Sequence, residues 1–153
     1  MKNYIISNHV WSLIPARLRS TKMKEKNLQK ILNYSLVSHA INASKSSKLI
    51  SRTFVSTDSI KIKQEALKFG AEVPFLRNKK NSGNLSTDYD VVLEFLKKIQ
   101  QIQNILPKYI VYLRPTTPMR ESKILDKAII KFKKLKNYES LVAVDKMNEP
   151  VHK

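Results

Sequence analysis

Residues 10–28, VWSLIPARLRSTKMKEKNL, join a short apolar run to a basic loop. The run at residues 10–14 is almost wholly apolar, which is typical of a strand buried in a parallel sheet. The following loop contains five cations within ten positions, namely Arg17, Arg19, Lys22, Lys24 and Lys26. The stretch therefore predicts a buried first strand that ends at a strongly positive loop.

The remainder of the chain alternates short apolar runs with longer segments of helical periodicity. Four further strands are predicted at residues 53–56, 72–75, 109–113 and 140–144. Four helices are predicted at residues 35–47, 62–69, 88–103 and 122–135. Strands that alternate with helices build a parallel sheet with crossover helices, so the fold class is α/β. The length of 153 residues is that of about one domain.

Asp88 and Asp90 open the most regular of the predicted helices. Their spacing suits a pair of carboxylate ligands for a metal ion. Acidic side chains are also favoured in the first turn of a helix by its dipole, and Thr87 and Asp88 are of residue types that cap helices. We interpret the acidic pair as part of the helix cap rather than as a metal site.

The basic loop has two interpretations. In a doubly wound sheet, ligands bind beyond the carboxyl ends of the strands where the strand order reverses, and the loop after the first strand lines that crevice. Arginine suits bidentate phosphate contacts and lysine acts as a point charge, which favours a polyphosphate ligand. The alternative is a solvated basic loop in a Lys-rich protein, since the chain has no P-loop and only two glycines.

The composition limits the classes of protein to consider. The chain has 29 Lys and Arg and 12 Asp and Glu, which gives a net charge of +17. This charge favours anionic partners. A lysine-rich composition also arises from A- and T-rich codons, without regard to function. A basic nucleic-acid-binding domain is therefore one alternative, but the aromatic residues lie within apolar runs and no recognition motif is present. The lack of cysteine fits the cytoplasm, and no apolar run is long enough for a membrane span, so we expect no membrane partner.

Four short motifs occur in the same order as in a known family. They are IPAR at residues 14–17 with Ser20 and KN at 26–27, VSTDS at 55–59, FGAEVPFLR at 69–77, and LRPTTPMR at 113–120. These segments resemble the sugar-acid cytidylyltransferases typified by acylneuraminate (CMP-sialic acid) synthetases, whose motifs are IPARGGSKxxPxKNI, VSTDS, YGAEVPFLR and LQPTSPLR. The combination is specific, and the resemblance covers residues 14 to about 144.

The resemblance implies both a fold and an activity. The fold is a Rossmann-like nucleotidyltransferase arrangement of three layers with a mostly parallel sheet. The activity is transfer of CMP from CTP to the anomeric hydroxyl of a keto-sugar acid of the sialic, legionaminic or pseudaminic type, with release of pyrophosphate. CTP and the sugar acid are the implied partners, and Mg²⁺ is the implied cofactor.

The resemblance also implies roles for individual residues. The cations Arg17 and Lys26 are expected to be catalytic, because they relieve charge repulsion as negative charge grows on the departing pyrophosphate. Nucleotide binding is expected of Ala16, Ser20, Lys22, Asn27, Arg77, Thr87 and Asp88. Sugar-acid binding is expected of Arg114, Thr116, Thr117 and Arg120.

Some features of the family differ here. Leu18 and Arg19 replace two glycines of the first motif, and Arg114 replaces a glutamine of the last. Family members are longer, and their later part supplies acidic metal ligands, more of the sheet and a dimerisation arm. We therefore expect residues 1–153 to be one nucleotidyltransferase domain that lacks its C-terminal part and its metal ligands, within a homodimeric full-length protein. As an isolated chain it is expected to bind CTP weakly and to turn over little; a catalytically silent partner subunit is another alternative.

Overall fold

Strands and helices alternate along the computed structural model, which describes residues 4–20, 23–83 and 85–144. The elements are β1 (Ile5–Pro15), β2 (Lys30–Ile31), β3 (Tyr34–Ser35), α1 (Leu36–Lys45), β4 (Ile50–Ser56), α2 (Ile60–Lys68), α3 (Asp88–Gln103), β5 (Ile105–Tyr112) and α4 (Ser122–Lys134). Two short 3-10 turns lie at Lys26–Leu28 and Lys79–Ser82. None of the helices in the described ranges combines the length and apolarity that a membrane crossing requires.

The sheet that organises the molecule has the strand order β4-β1-β5, with all three strands parallel. Leu13 of β1 pairs with Phe54 on one side and with Tyr112 on the other. The chain passes from β1 to β4 on one side and then to β5 on the opposite side, so the strand order reverses at β1. The loops that follow the three strands therefore meet at one edge, where α/β sheets bind their ligands.

Side chains that alternate along β1 build a separate core on each face of the sheet. Ile14 packs in a cluster with side chains of α1 and α2, including Ile41 and Ile62. Trp11 packs on the opposite face, in a cluster with Phe95 of α3. Helices therefore cover both faces, and the predicted three-layer α/β arrangement is observed.

The cap of α3 forms as its sequence predicts. Thr87 Oγ1 accepts a hydrogen bond from the Asp90 amide at 3.2 Å, and Asp90 Oδ2 accepts one from the Thr87 amide at 2.9 Å. This reciprocal pair is a capping box, which satisfies two amides that the first helical turn leaves without partners. The interpretation of the acidic pair as cap residues is thus confirmed for Asp90 but wrong for Asp88, whose carboxylate accepts hydrogen bonds from Tyr112 and Arg114 instead.

Two predicted strands are wrong. In the predicted strand 72–75, only Glu72 pairs, through a single bridge to Phe54, because Pro74 has no amide hydrogen to continue the pairing. Residues 140–144 form no strand, and Val142 and Val144 are 74% and 89% exposed. An apolar run of this length becomes a strand only when a neighbouring edge takes up its backbone hydrogen bonds.

The structure also contains a longer first strand and a hairpin that were not predicted. β1 begins at Ile5 rather than at residue 10, and its added residues pair with the start of β5, as in Ile5↔Ile105. β2 and β3 form a small antiparallel hairpin just before α1. This hairpin turns at Leu32 and Asn33, which both have positive φ angles, of 49° and 69°.

Candidate functional site

A pocket of about 320 Å³ opens at the edge of the sheet where the strands end. It lies between the basic loop after β1, the segment that precedes α3, and the loop after β5. Its described lining residues are Pro15, Arg17, Ser20, Lys26, Asn27, Arg77, Asn81, Gly83, Ser86, Thr87, Asp88, Val91, Tyr112, Arg114, Pro115 and Thr116. Four of these carry positive charge and one, Asp88, carries negative charge, so the pocket suits an anionic ligand.

Two side chains, those of Asp58 and Asn27, hold the backbone at the start of the basic loop. The Leu18 amide donates a hydrogen bond to Asp58 Oδ1 at 2.9 Å, which ties this loop to the residues after β4. The buried Asn27 donates through Nδ2 to the Arg17 carbonyl at 2.8 Å. Leu18, in the position of a family glycine, packs against the apolar cluster around Ile14. These contacts fix the described ends of the loop, which bring Arg17 and Lys26 to the pocket.

Arg17 also joins the two walls of the pocket. Its Nη1 donates to the Gly83 carbonyl at 2.8 Å, and Gly83 follows the 3-10 turn Lys79–Ser82. The same turn brings Asn81 into the lining. One wall thus consists of the basic loop, and the facing wall consists of the segment between Arg77 and α3.

Arg77 is the most deeply buried cation of the pocket, with 6% of its surface exposed. Its amide donates to the Thr57 carbonyl at 2.7 Å, which fixes the backbone beside the end of β4. Within the part of the chain that the structure describes, its Nε and Nη2 atoms are buried and have no hydrogen-bond acceptor. Burial lowers the pKa of Arg77, and the charge of Arg17 acts in the same direction, although Asp58 opposes both.

A buried guanidinium with unsatisfied donors is costly unless a ligand supplies acceptors. Arg77 lines a pocket with room for a small molecule, and its buried Nε and Nη2 atoms belong to that wall. The arrangement therefore favours a ligand with two adjacent acceptor atoms at this point.

Asp88 connects α3 to the end of β5. Its Oδ1 accepts a hydrogen bond from the Tyr112 hydroxyl at 2.9 Å, and its Oδ2 accepts one from the Arg114 guanidinium. Burial raises the pKa of Tyr112, and the bond to the Asp88 carboxylate raises it further. The bond to Asp88 likewise raises the pKa of Arg114. Asp88 thus orients two side chains at the β5 side of the pocket.

The structure brings most of the predicted site residues together. Those that line the pocket are Arg17, Ser20, Lys26, Asn27, Arg77, Thr87, Asp88, Arg114 and Thr116. Ala16 is fully buried beneath the loop, and Thr117 and Arg120 lie outside the described lining. Lys22 lies outside the described residues.

Several lining residues were not predicted from the sequence, among them Asn81, Gly83, Ser86 and Tyr112. Asn81, Gly83 and Ser86 lie in the stretch 78–86, NKKNSGNLS, whose composition predicts a loop. No local signal says that this loop faces the basic loop. Tyr112 lies in an apolar strand, where an aromatic residue is unremarkable.

The described residues do not form a site for the Mg²⁺ that the resemblance implies. Among residues 4–20, 23–83 and 85–144, no group of three Asp, Glu or His side chains lies close enough to hold a metal ion. Asp88, the carboxylate in the described lining, is already engaged by Tyr112 and Arg114. These residues do not by themselves fit Mg²⁺, which stays a prediction from the resemblance.

Comparison with known proteins identifies similar sequences over nearly the whole chain. The sequence profile of the family described as Cytidylyltransferase matches residues 11–153. The chain is 34% identical over 123 residues to the pseudaminic acid cytidylyltransferase of Campylobacter jejuni. It is 31% identical over 120 residues to the CMP-N,N'-diacetyllegionaminic acid synthase of Legionella pneumophila. Each alignment covers 78% of this chain and 51% of the relative, so the chain spans about half the length of these curated relatives.

Solved structures share the fold. A CMP:2-keto-3-deoxy-manno-octonic acid synthetase complexed with CTP superimposes with a TM-score of 0.67 over 82% of this chain and 47% of that chain, at 17% identity. A cytidylyltransferase from Leptospira borgpetersenii gives a TM-score of 0.60 over 81% of this chain and 48% of that chain, at 24% identity. The predicted Rossmann-like α/β fold is therefore confirmed.

Proposed function

The chain belongs to the cytidylyltransferase family, as its four motifs predict, and from this premise we propose that its pocket binds CTP. We propose further that the whole protein transfers CMP from CTP to a keto-sugar acid of the sialic, legionaminic or pseudaminic type and releases pyrophosphate. The pocket offers groups suited to the base, the phosphates and the acceptor.

Arg77 supplies the observation on which CTP binding mainly rests. Its buried Nε and Nη2 atoms, which lack acceptors among the described residues, form one side of a guanidinium. Two parallel N–H groups of this kind match two adjacent acceptors. Cytosine presents such a pair in O2 and N3, whereas uracil carries a hydrogen on N3. Arg77 would therefore hold cytosine and disfavour uracil, because uracil leaves one buried donor facing another.

The cations of the basic loop suit the triphosphate. Arg17 and Lys26 line the pocket next to Ser20, whose hydroxyl can donate to a phosphate oxygen. Fixed positive charges stabilise the negative charge that builds up on the departing pyrophosphate. Asn27 would act indirectly, since its bond to the Arg17 carbonyl shapes the loop.

The β5 side of the pocket suits the acceptor. Arg114 and Thr116 follow β5, and Asp88 orients the guanidinium of Arg114. The side chain of Arg114 is 64% exposed, so its other N–H groups can bind the carboxylate of a sugar acid. The family signature has a glutamine in this position, and an arginine here strengthens the match to an acidic acceptor.

The proposed reaction is a displacement at the α-phosphorus of CTP. A bond forms from the anomeric oxygen of the sugar acid to phosphorus, while the bond from phosphorus to the bridging oxygen of the β-phosphate breaks. The proton of the anomeric hydroxyl passes to solvent water, and pyrophosphate leaves with the electron pair of the broken bond. The described residues do not form a site for Mg²⁺, so the proposed displacement is derived from the residues of the pocket alone. We propose the cytoplasm as the location, where CTP is made, and a homodimer as the full-length assembly.

Titration calorimetry of the 153-residue chain with CTP and UTP tests the assignment of Arg77. We expect CTP to bind about tenfold or more tightly than UTP, since a bidentate contact to a base edge is worth about 1–3 kcal/mol of discrimination. The variant Arg77→Lys should reduce the preference to about twofold, because an ammonium lacks the paired donors. The exposed Arg19 provides a matched control, and Arg19→Lys should keep the preference. Equal affinity of the parent chain for CTP and UTP would overturn the proposed function.

A further inference from the structure

Glu94 is a buried carboxylate of α3 that lies behind the pocket. It exposes 8% of its surface and is not among the described lining residues. It lies two turns along α3 from the cap and faces the segment 76–82 rather than the core of the sheet. A buried charge at such a position calls for a specific set of partners.

Both oxygens of Glu94 accept hydrogen bonds from the segment that forms one wall of the pocket. Oε1 accepts from the Asn78 amide at 2.9 Å and from Lys98 Nζ at 2.6 Å, while Oε2 accepts from Asn81 Nδ2. Lys98 Nζ donates in addition to the Leu76 carbonyl at 3.3 Å and to Asn78 Oδ1 at 3.1 Å. The Glu94–Lys98 ion pair therefore fastens residues 76–81 to α3 at four points.

The fastened segment contains the groups that the nucleotide is proposed to meet. Arg77 immediately precedes Asn78, and Asn81 itself lines the pocket. Gly83, just beyond the turn, accepts the hydrogen bond from Arg17 Nη1. The position of this wall thus sets where the Arg77 donors point and where Arg17 lies on the opposite wall.

The charge of Glu94 is matched to this set of donors. Burial by itself raises the pKa of Glu94, but the hydrogen bonds from Lys98, the Asn78 amide and Asn81 outweigh it, and the pKa lies below its ordinary value. A carboxylate can accept from all three donors at once. A glutamine of the same shape has one acceptor oxygen, and its NH2 group must face one of the donors.

We propose that Glu94 is a positioning residue. It sets the affinity of the pocket for its nucleotide by holding residues 76–81 in place, without touching the ligand. This inference rests on the proposed function of the pocket. It extends the site to a residue on the far side of the pocket wall. A displacement of about 1 Å in a positioned group is enough to weaken binding and catalysis strongly.

Calorimetry with CTP on the 153-residue chain provides the test. Glu94→Gln should weaken CTP binding about tenfold, and Asn81→Ala should weaken it severalfold. The double variant should bind about as well as Glu94→Gln alone, since two residues that act through one contact are not additive. Glu72→Gln is the matched control, because it breaks a different ion pair, that of Glu72 with Arg52, and neither residue lines the described pocket. This variant should leave the CTP affinity within about twofold of the parent chain.

Each outcome decides a separate question. A parent chain that binds no CTP overturns the proposed function and this inference with it. A parent chain that binds CTP, with a Glu94→Gln variant that binds equally well, overturns the inference alone, and so do losses that multiply in the double variant. If Glu94→Gln does not fold, Lys98→Met replaces it, since it keeps an unbranched side chain of similar length but removes the ammonium group, which donates to Glu94, Leu76 and Asn78 and lies over the ring of Phe75. Lys98→Met should then weaken CTP binding severalfold, and unchanged affinity would again contradict the role of this anchor.

Discussion

Glu94 and Arg77 are both buried charged side chains, but their polar atoms are satisfied in different ways. Glu94 is surrounded by donors from its own chain, whereas two donors of Arg77 lack acceptors among the described residues. A buried charge is costly without partners, so the donors of Arg77 gain from a ligand that supplies acceptors, whereas Glu94 already has its partners within the chain. Glu94 therefore holds the segment that contains Arg77, and the donors of Arg77 are the ones that we propose bind a nucleotide.

The low pKa of Glu94 predicts a pH dependence of stability. Because the pKa in the folded chain lies below the ordinary value of 4.5, its contribution is complete above that value and is lost as the pH falls through the folded pKa. We expect the Tm, measured by circular dichroism, to fall as the pH is lowered from about 5 to 3. Glu94→Gln should show a shallower fall, and Asp126→Asn should act likewise, because hydrogen bonds from Ser47 and Lys48 outweigh its burial and lower the pKa of Asp126. Identical slopes for the parent and Glu94→Gln would contradict this account.

At the scale of elements, α3 links the sheet to the pocket. Its apolar face packs on Trp11, its cap holds Thr87 and Asp90 together, and its second turn carries Glu94. Asp88, inside the same first turn, is directed to Tyr112 and Arg114 instead of to the cap. One helix therefore fixes two sides of the pocket through different residues.

The capping box makes a direct prediction about the stability of α3. Thr87→Ala removes the hydroxyl that accepts from the Asp90 amide and should lower the free energy of unfolding by about 1 kcal/mol. Thr87→Ser retains the hydroxyl and is the matched control. Urea denaturation without nucleotide measures both variants. Equal stability of the Ala and Ser variants would show that the cap contributes nothing.

How well an element could be predicted depended on whether its determinants were local. The limits of α3, residues 88–103, were predicted correctly because its cap and its apolar stripe are contained in the element itself. The first part of β1, with Ser7, Asn8 and His9, has no such pattern and becomes a strand by pairing with β5. The strands predicted at 72–75 and 140–144 failed for the converse reason, since a strand needs a partner edge that local composition does not specify.

The candidate site was predictable to the same extent. Arg17 and Lys26 lie in one short loop, and the motifs around Arg77 and Arg114 mark the ends of further segments. The contacts between these segments, such as Leu18 with Asp58 or Arg17 with Gly83, join residues 40 and 66 positions apart. The roles of Tyr112 and Glu94 could not be predicted from the sequence, because they depend on contacts between segments that are distant in the chain.

At the scale of the whole molecule, the net charge of +17 has to be distinguished from the charge of the pocket. Of the 29 Lys and Arg residues, four line the described part of the pocket, and most others lie on exposed surfaces. A general attraction to polyanions is therefore expected beside any specific recognition of a nucleotide.

Salt should separate these two kinds of binding. Binding to a short DNA duplex through counterion release should fall steeply between about 0.05 and 0.2 M salt. The rise in Tm that CTP produces should persist over this range, because it also depends on contacts to the base. Thermal unfolding with CTP, and fluorescence anisotropy with labelled duplex, measure the two effects. A CTP effect that disappears as steeply as duplex binding would favour the basic nucleic-acid-binding alternative.

Because β4, β1 and β5 are parallel, the amino ends of these strands lie at the edge of the sheet that is farthest from the pocket. Lys48, exposed just before β4, lies at the edge opposite the pocket, about 20 Å away along a seven-residue strand. Because the chain has no cysteine, Lys48→Cys creates a single thiol there. A fluorophore or a sensor surface attached through that thiol leaves the mouth of the pocket open to solvent.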